Sequence, residues 1–240
     1  MDVSVLEKSC RELGIALSEQ QKKQFIQYYE LLTEWNKVMN LTGITQWEEV
    51  QMKHFVDSLS IVKGMDMSQI HTLVDVGTGA GFPGVPIKIV FPHIRVVLLD
   101  SLNKRLKFLQ EVIDQLSLKE IETVHGRAED IAKKPEYRDR FDLSVSRAVS
   151  RLCSLSEYCL PFVRQGGYFV SYKGGKAEEE IQESKKAISV LGGKLERVIE
   201  FSFEDQTENI ERSLVMIKKI KATPKKYPRK AGLPTKEPIL

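Results

Sequence analysis

The sequence is poor in the residues that build sites by themselves. Its three cysteines, Cys10, Cys153 and Cys159, are an odd number with no Cys-x-x-Cys pair, which excludes a disulfide framework and a cysteine-rich zinc site. Cys153 falls inside an expected helix and is read as a packed thiol, not a nucleophile. His54 and Asp57 share one helical face, but two ligands are too few for zinc, so a local hydrogen bond is expected there and no metal. No apolar run approaches the roughly 20 residues of a membrane-spanning helix; the longest, such as RVVLL, have strand length. The start, MDVSVLEKSCREL, lacks the charged-then-apolar plan of a signal peptide, so a cytoplasmic protein is expected. Charge of one sign is scarce as well, with a net charge of only +3.

What is present is an ordinary globular composition: 240 residues, 42% hydrophobic and 29% charged, enough for one domain with a small appended element. Residues 1–70 read as a helical N-terminal cap. In it Phe25, Leu32, Trp35 and Met39 recur at helical spacing behind a capping box at Ser18 and Gln21. Asn36 and Asn40 flank that stripe, with helix-to-loop hydrogen bonding expected of them. A second capping box is expected at Thr45 and Glu48.

From residue 71 to 220 strands alternate with helices: TLVDV, IRVVLLD, IETVHG, FDLSVS, GYFVSYK, LERVIEFSF and RSLVMIKKI. Such alternation predicts a mostly parallel seven-stranded sheet covered on both faces. The short link EDQTENIE between the last two strands predicts one antiparallel strand, because parallel neighbours need a long crossover. Residues 221–240 form a tail with six basic residues between Lys221 and Lys236 and no acid among them, interleaved with prolines and Tyr227.

The first strand runs into DVGTGAGFPG. A triphosphate loop needs a Lys-Ser or Lys-Thr after its glycines, and none follows. A dinucleotide loop counted from Gly77 wants glycine where Phe82 stands. What remains is acid-x-Gly-x-Gly-x-Gly, from Asp75 through Gly77, Gly79 and Gly81. This resembles the first motif of Rossmann-like S-adenosylmethionine-dependent methyltransferases, in which glycines let the backbone pass close to the methionine end of the cofactor. Asp100, 21 residues after Gly79 at the tip of the second strand, suits ribose hydroxyls, and Ala128 and Glu129 at the third tip suit adenine.

The fourth strand ends in Arg147-Ala148-Val149. It carries neither the Asn/Asp-Pro-Pro-aromatic motif of enzymes that methylate exocyclic amines nor the Pro-Cys of enzymes that methylate cytosine C5. A target with a ready lone pair, such as guanine N7, loses no proton and needs alignment more than a base. Arg147 is then the one candidate catalytic residue, to contact guanine, phosphate or cofactor.

WNKVMNLT, HFVDSL, DVGTGAGFPGVP, DSLNKRLKFL, HGRAED, FDLSVSRAVSRL and KKYPRKAGLPTKEP, in this order, resemble one family over almost the whole chain. It is the ribosomal RNA small subunit methyltransferase G (glucose-inhibited division protein B) family. The resemblance implies methylation of N7 of one guanine in bacterial 16S ribosomal RNA, as naked RNA or in the small subunit, with S-adenosylmethionine as cofactor. It implies cofactor contacts at Gly77, Phe82, Ala128, Glu129 and Arg147, to which the fold class adds Gly79 and Asp100. RNA contacts are expected at Lys173, Lys225, Lys226, Tyr227, Arg229 and Lys230, and the chain is expected to be a monomer. A methyltransferase of a small molecule and a non-catalytic RNA-binding protein are the competing readings.

Overall fold

Runs of Val, Ile and Leu bounded by turn residues form a seven-stranded sheet in the order β3-β2-β1-β4-β5-β7-β6. The computed structural model describes residues 1–147, 149–175, 177–204 and 209–240. The strands are β1 Thr72–Val76, β2 Arg95–Asp100, β3 Ile121–His125, β4 Phe141–Arg147, β5 Val163–Gly174, β6 Gly193–Glu204 and β7 Asn209–Lys219. β1 to β5 pair in parallel, and β7 lies antiparallel between β5 and β6. The β6–β7 link was expected to be short, and its residues 205–208 lie outside the described residues, as does Ala148 of the fourth-strand motif.

Helices flank the sheet: α1 Ser4–Glu12, α2 Glu19–Asn36, α3 Trp47–Val50, α4 Asp57–Leu59, α5 Gly84–Val90, α6 Asn103–Gln115, α7 Ala128–Ile131, α8 Leu152–Cys159, α9 Glu178–Val190 and α10 Leu233–Lys236. Both faces of the central strands are buried, so they read as continuous apolar runs instead of alternating ones. Leu73, Val96, Leu98 and Val145 pack with the N-terminal helices, α5 and α6. Val74, Val97, Leu99 and Phe169 pack on the opposite side with α8 and α9.

The capping box of α2 forms as expected, with Gln21 N donating to Ser18 Oγ and Ser18 N to Gln21 Oε1. The box at Thr45 and Glu48 does not form. α3 starts one residue later, behind Gln46 and without a side-chain cap, and Thr45 instead gives its carbonyl to the Tyr29 hydroxyl. Asn36 bonds helix to loop, accepting from Leu41 N and Thr42 N and donating to Thr42 O. Between α3 and α4 the chain forms one π-helical stretch, Gln51–Val56. That widened turn carries His54 to the sheet edge, and it is a common device at functional sites.

The N-terminal helices meet the sheet through an aromatic cluster. Phe25 and Phe55 lie 4.8 Å apart, Tyr28 and Phe82 5.4 Å, and the Tyr28 hydroxyl donates to Ala80 O in the glycine loop. α2 is thereby bonded directly to the loop that the strand order places at the switch between β1 and β4, where open α/β sheets bind ligands.

Candidate active site

The glycine loop leaves β1 with Gly77, Gly79 and Gly81 at φ +73°, +62° and +94°. Gly77 N and Thr78 N donate to Leu99 O at 2.9 and 3.1 Å, which ties the loop to the end of β2. A side chain is excluded at Gly77, where a Cβ would lie 2.7 Å from Val149, and at Gly81, where it would lie 2.6 Å from the Tyr28 hydroxyl. At Gly79 a Cβ would meet nothing closer than 4.0 Å, so only this glycine presents bare backbone to open space.

Two buried carboxylates hold the loop. Asp75 Oδ2 accepts from Thr78 Oγ1 at 2.7 Å and Gly84 N at 2.9 Å, bridging entry and exit. Its Oδ1 has no partner among the described residues, and burial pushes the carboxyl up to about 6. Asp100 Oδ2 accepts from Gly79 N at 3.0 Å and Arg105 Nη1 at 3.3 Å, and Oδ1 from Leu102 N at 2.8 Å.

Around this loop lies a cleft of about 610 Å³, the size of a small-molecule site, and Gly77, Gly79, Phe82, Asp100, Ala128 and Glu129 all line it. Arg147 lines it too, at the tip of β4. The structure therefore brings every expected cofactor residue to one cavity. Bare backbone at Gly79 with the Asp100 carboxylate hydrogen-bonded beside it, in a cleft that runs on to Ala128 and Glu129, fits an adenosine-bearing ligand with a compact polar head.

Arg147 is fixed on all sides. Nη1 donates to Asp57 Oδ2 at 2.8 Å and to Lys53 O at 3.1 Å, Nη2 lies 3.3 Å from His54 Nδ1, and the guanidinium sits 5.0 Å above the Phe82 ring. His54 stacks on the same ring at 4.5 Å. Burial and the Arg147 charge push its imidazole down to about 3, so it stays neutral and is a very weak base. His54 and Asp57, read in the sequence as a local pair, are instead the platform that orients Arg147.

The expected RNA residues fall into separate places. Lys173 Nζ bonds Glu180 Oε2 at 2.6 Å and Ser150 O at 3.0 Å beside the Arg147 cluster. Lys225, Lys226 and Lys230 are exposed, and Lys226 lies 5.3 Å from the Tyr227 ring centre. Arg229 is not a free surface cation. Its backbone N, Nε and Nη2 all donate to the buried Glu157 carboxylate, at 2.7 to 3.0 Å, and Nη1 donates to Glu237 O.

The tail beyond residue 220 is thus folded back on the body. Arg138 donates to Thr223 O and Tyr227 O, Ser154 to Pro234 O, and Gly232 N to Glu129 Oε1 at 2.8 Å. Gly232 and Tyr158 line the same cleft as Ala128 and Glu129. Nothing in the local sequence signals this. A basic, proline-bearing segment reads as solvated, and the acid that holds it lies 72 residues away.

The family described as rRNA small subunit methyltransferase G (GidB) matches residues 21–212. The chain belongs to this family. A ribosomal RNA small subunit methyltransferase G of Lachnoclostridium phytofermentans is 53% identical over 239 residues, covering 100% of this chain and 98% of that one. One of Clostridium tetani is 50% identical over 235 residues, with 98% of each chain covered. Among solved structures, M. jannaschii TYW2 in complex with AdoMet superposes with a TM-score of 0.51 at 16% identity, covering 63% of this chain and 70% of that one. StiE O-MT reaches 0.53 at 12%, covering 69% and 73%. These two likenesses show the fold, a Rossmann-like sheet flanked by helices. As a member of the methyltransferase G family the chain is an enzyme, and its cofactor is S-adenosylmethionine. Among the described residues no helix is long and apolar enough to cross a membrane.

Proposed function

We propose that this family member methylates N7 of one guanine in 16S ribosomal RNA, acting as a cytoplasmic monomer. The observation that supports this target is the bareness of the cleft. Its acids are engaged, Asp100 by Gly79, Leu102 and Arg105 and Glu129 by Gly232. Its histidine is held down to about 3. Among the described residues the cleft's carboxylates are committed to backbone or cofactor contacts and its histidine is a very weak base, an arrangement that suits N7, which needs no deprotonation.

Bound S-adenosylmethionine would supply a sulfonium methyl, to whose carbon the N7 lone pair bonds as the carbon–sulfur pair leaves with sulfur. The chain's own work is alignment. Gly79 presents its backbone to the aminoacyl end with Gly77 bordering it, Asp100 takes the ribose hydroxyls, and Ala128 and Glu129 border the adenine. Phe82 supports Arg147, whose guanidinium faces the target nucleotide from the wall of the cleft. Lys173, Lys225, Lys226, Lys230 and Tyr227 supply RNA contacts, while Arg229 anchors the tail.

The test is methyl transfer from labelled cofactor to naked 16S RNA and to small subunits, followed by mapping of the modified nucleotide. One N7-methylguanine is expected. Cofactor binding without transfer to either substrate, or a methyl on another atom, overturns the proposal.

A further inference from the structure

A second cleft, of about 360 Å³, opens beside the first and shares His54 and Arg147 with it. Its other walls carry Lys53, Lys173 and Arg212. Strand register places these groups together: Arg147 of β4 lies beside Tyr172 of β5, and Gly174 and Lys173 of β5 lie beside Arg212 and Ser213 of β7. Lys53 arrives from the π-helical turn.

Four cations therefore line this cleft with one buried carboxylate. Asp57, 3% exposed, spans two guanidiniums, with Oδ2 2.8 Å from Arg147 Nη1 and Oδ1 3.0 Å from Arg212 Nε. The remaining acids stand at the rim: Glu49 bonds Lys53 at 2.8 Å and Glu180 bonds Lys173 at 2.6 Å, and each acid is more than a third exposed. The lysines themselves are largely buried, so each pair opens to solvent on the side of its acid. Both guanidiniums lie over rings, Arg147 over Phe82 at 5.0 Å and Arg212 over Phe203 at 5.7 Å. Two oriented guanidiniums with two lysines beside them form an arrangement that binds a phosphate diester.

We infer that this second cleft binds the RNA phosphodiester adjoining the target nucleotide, with Arg212 and Lys173 as its principal contacts and Arg147 at the boundary between phosphate and base. The inference rests on the reading of the chain as an RNA guanine methyltransferase, and it adds where the strand is held. A phosphate in this cleft replaces Glu180 on Lys173 and Glu49 on Lys53. The target base is then confined to the side of Arg147 that faces the glycine loop.

The test uses the full chain with naked 16S RNA, reading RNA binding at several salt concentrations, KM for RNA, cofactor affinity and melting temperature. Lys173→Met is expected to raise the RNA dissociation constant and KM about tenfold and to reduce the slope of log affinity against log salt by about one. Cofactor affinity and melting temperature are expected to stay put. Arg212→Lys keeps the charge but loses the fork, so KM rises while the salt slope is preserved. If the unaltered chain methylates guanine N7 but neither variant changes RNA affinity or slope, the second cleft is not the phosphate site and the function stands. Loss of cofactor affinity in Lys173→Met overturns the inference as well. If the unaltered chain transfers no methyl, the function reading falls, and the binding series still decides the cleft.

Discussion

Replacing Arg229 by Ala isolates the role of the C-terminal tail. Glu157 is 1% exposed and its carboxylate is answered by the backbone and guanidinium of this one residue. Removing a single partner of a buried ion pair costs about 3–5 kcal/mol, because the other charge is left without compensation. The protein has two ways to respond: it keeps the tail docked over a bare carboxylate, or releases the tail and lets water reach Glu157. The cheaper one caps the cost. At roughly 2–4 °C per kcal/mol for a chain of this size, a fall in melting temperature of about 6–20 °C is expected. Release also removes Gly232 from Glu129 and opens the wall of the cofactor cleft, so cofactor affinity should fall about tenfold, near 1.4 kcal/mol. Calorimetric melting and titration read the two effects, and limited proteolysis reports release. The decisive control is Glu157→Gln combined with Arg229→Ala. With the buried charge gone, the double variant should be more stable than Arg229→Ala alone. A double variant at least as unstable as the single one refutes the electrostatic account. Unchanged cofactor affinity in a chain whose tail has become protease-sensitive refutes the wall.

Asp100→Ala should weaken cofactor binding by about 1–3 kcal/mol, since it removes the acceptor of Gly79 N–H and, on the proposed function, that of the ribose; an unchanged dissociation constant by calorimetry discards that role. Gly79→Ala should cost only about 1–2 kcal/mol of stability, the strain of its positive φ, yet impair cofactor binding. Gly81→Ala, whose Cβ would lie 2.6 Å from Tyr28 and 2.8 Å from Leu109 and Val85, should cost roughly 2–5 kcal/mol, and denaturant midpoints that reverse this order contradict the geometry. Two titrations oppose one another below neutrality. His54, lowered from 6.5 to about 3, contributes stability present above pH 6.5 and lost as pH falls toward 3. Asp75, raised from 3.8 to about 6, contributes stability complete below pH 3.8 and lost as pH rises through 6. His54→Gln should flatten the loss on the acid side, and Asp75→Asn the loss between 3.8 and 6, in unfolding curves measured from pH 3 to 7.

The strands and their order of appearance were legible because parallel strands buried on both faces are written as apolar runs, and glycines with forced positive φ mark the loop. The residues expected at the cofactor share one cleft for a local reason: they lie at or just after the carboxyl ends of β1 to β4, and those ends share one edge of the sheet. Thr45 misled because a capping box is only a local preference, and the Tyr29 hydroxyl drew its carbonyl elsewhere.

The cluster around Arg147 shows the limit. Lys53, His54 and Asp57 belong to the N-terminal helical segment, Arg147 and Lys173 to neighbouring strands, and Arg212 to a strand 155 residues after Asp57. The long-range strand pairing brings them together. Arg229 likewise reads as a surface cation until folding sets it against Glu157. The sequence by itself determined the sheet, the glycine loop and the carboxylate tips, because these depend on spacing along one chain segment. Only the tertiary structure decided which charges are used up inside the protein and which are left to meet RNA, because charge pairing depends on distance in space.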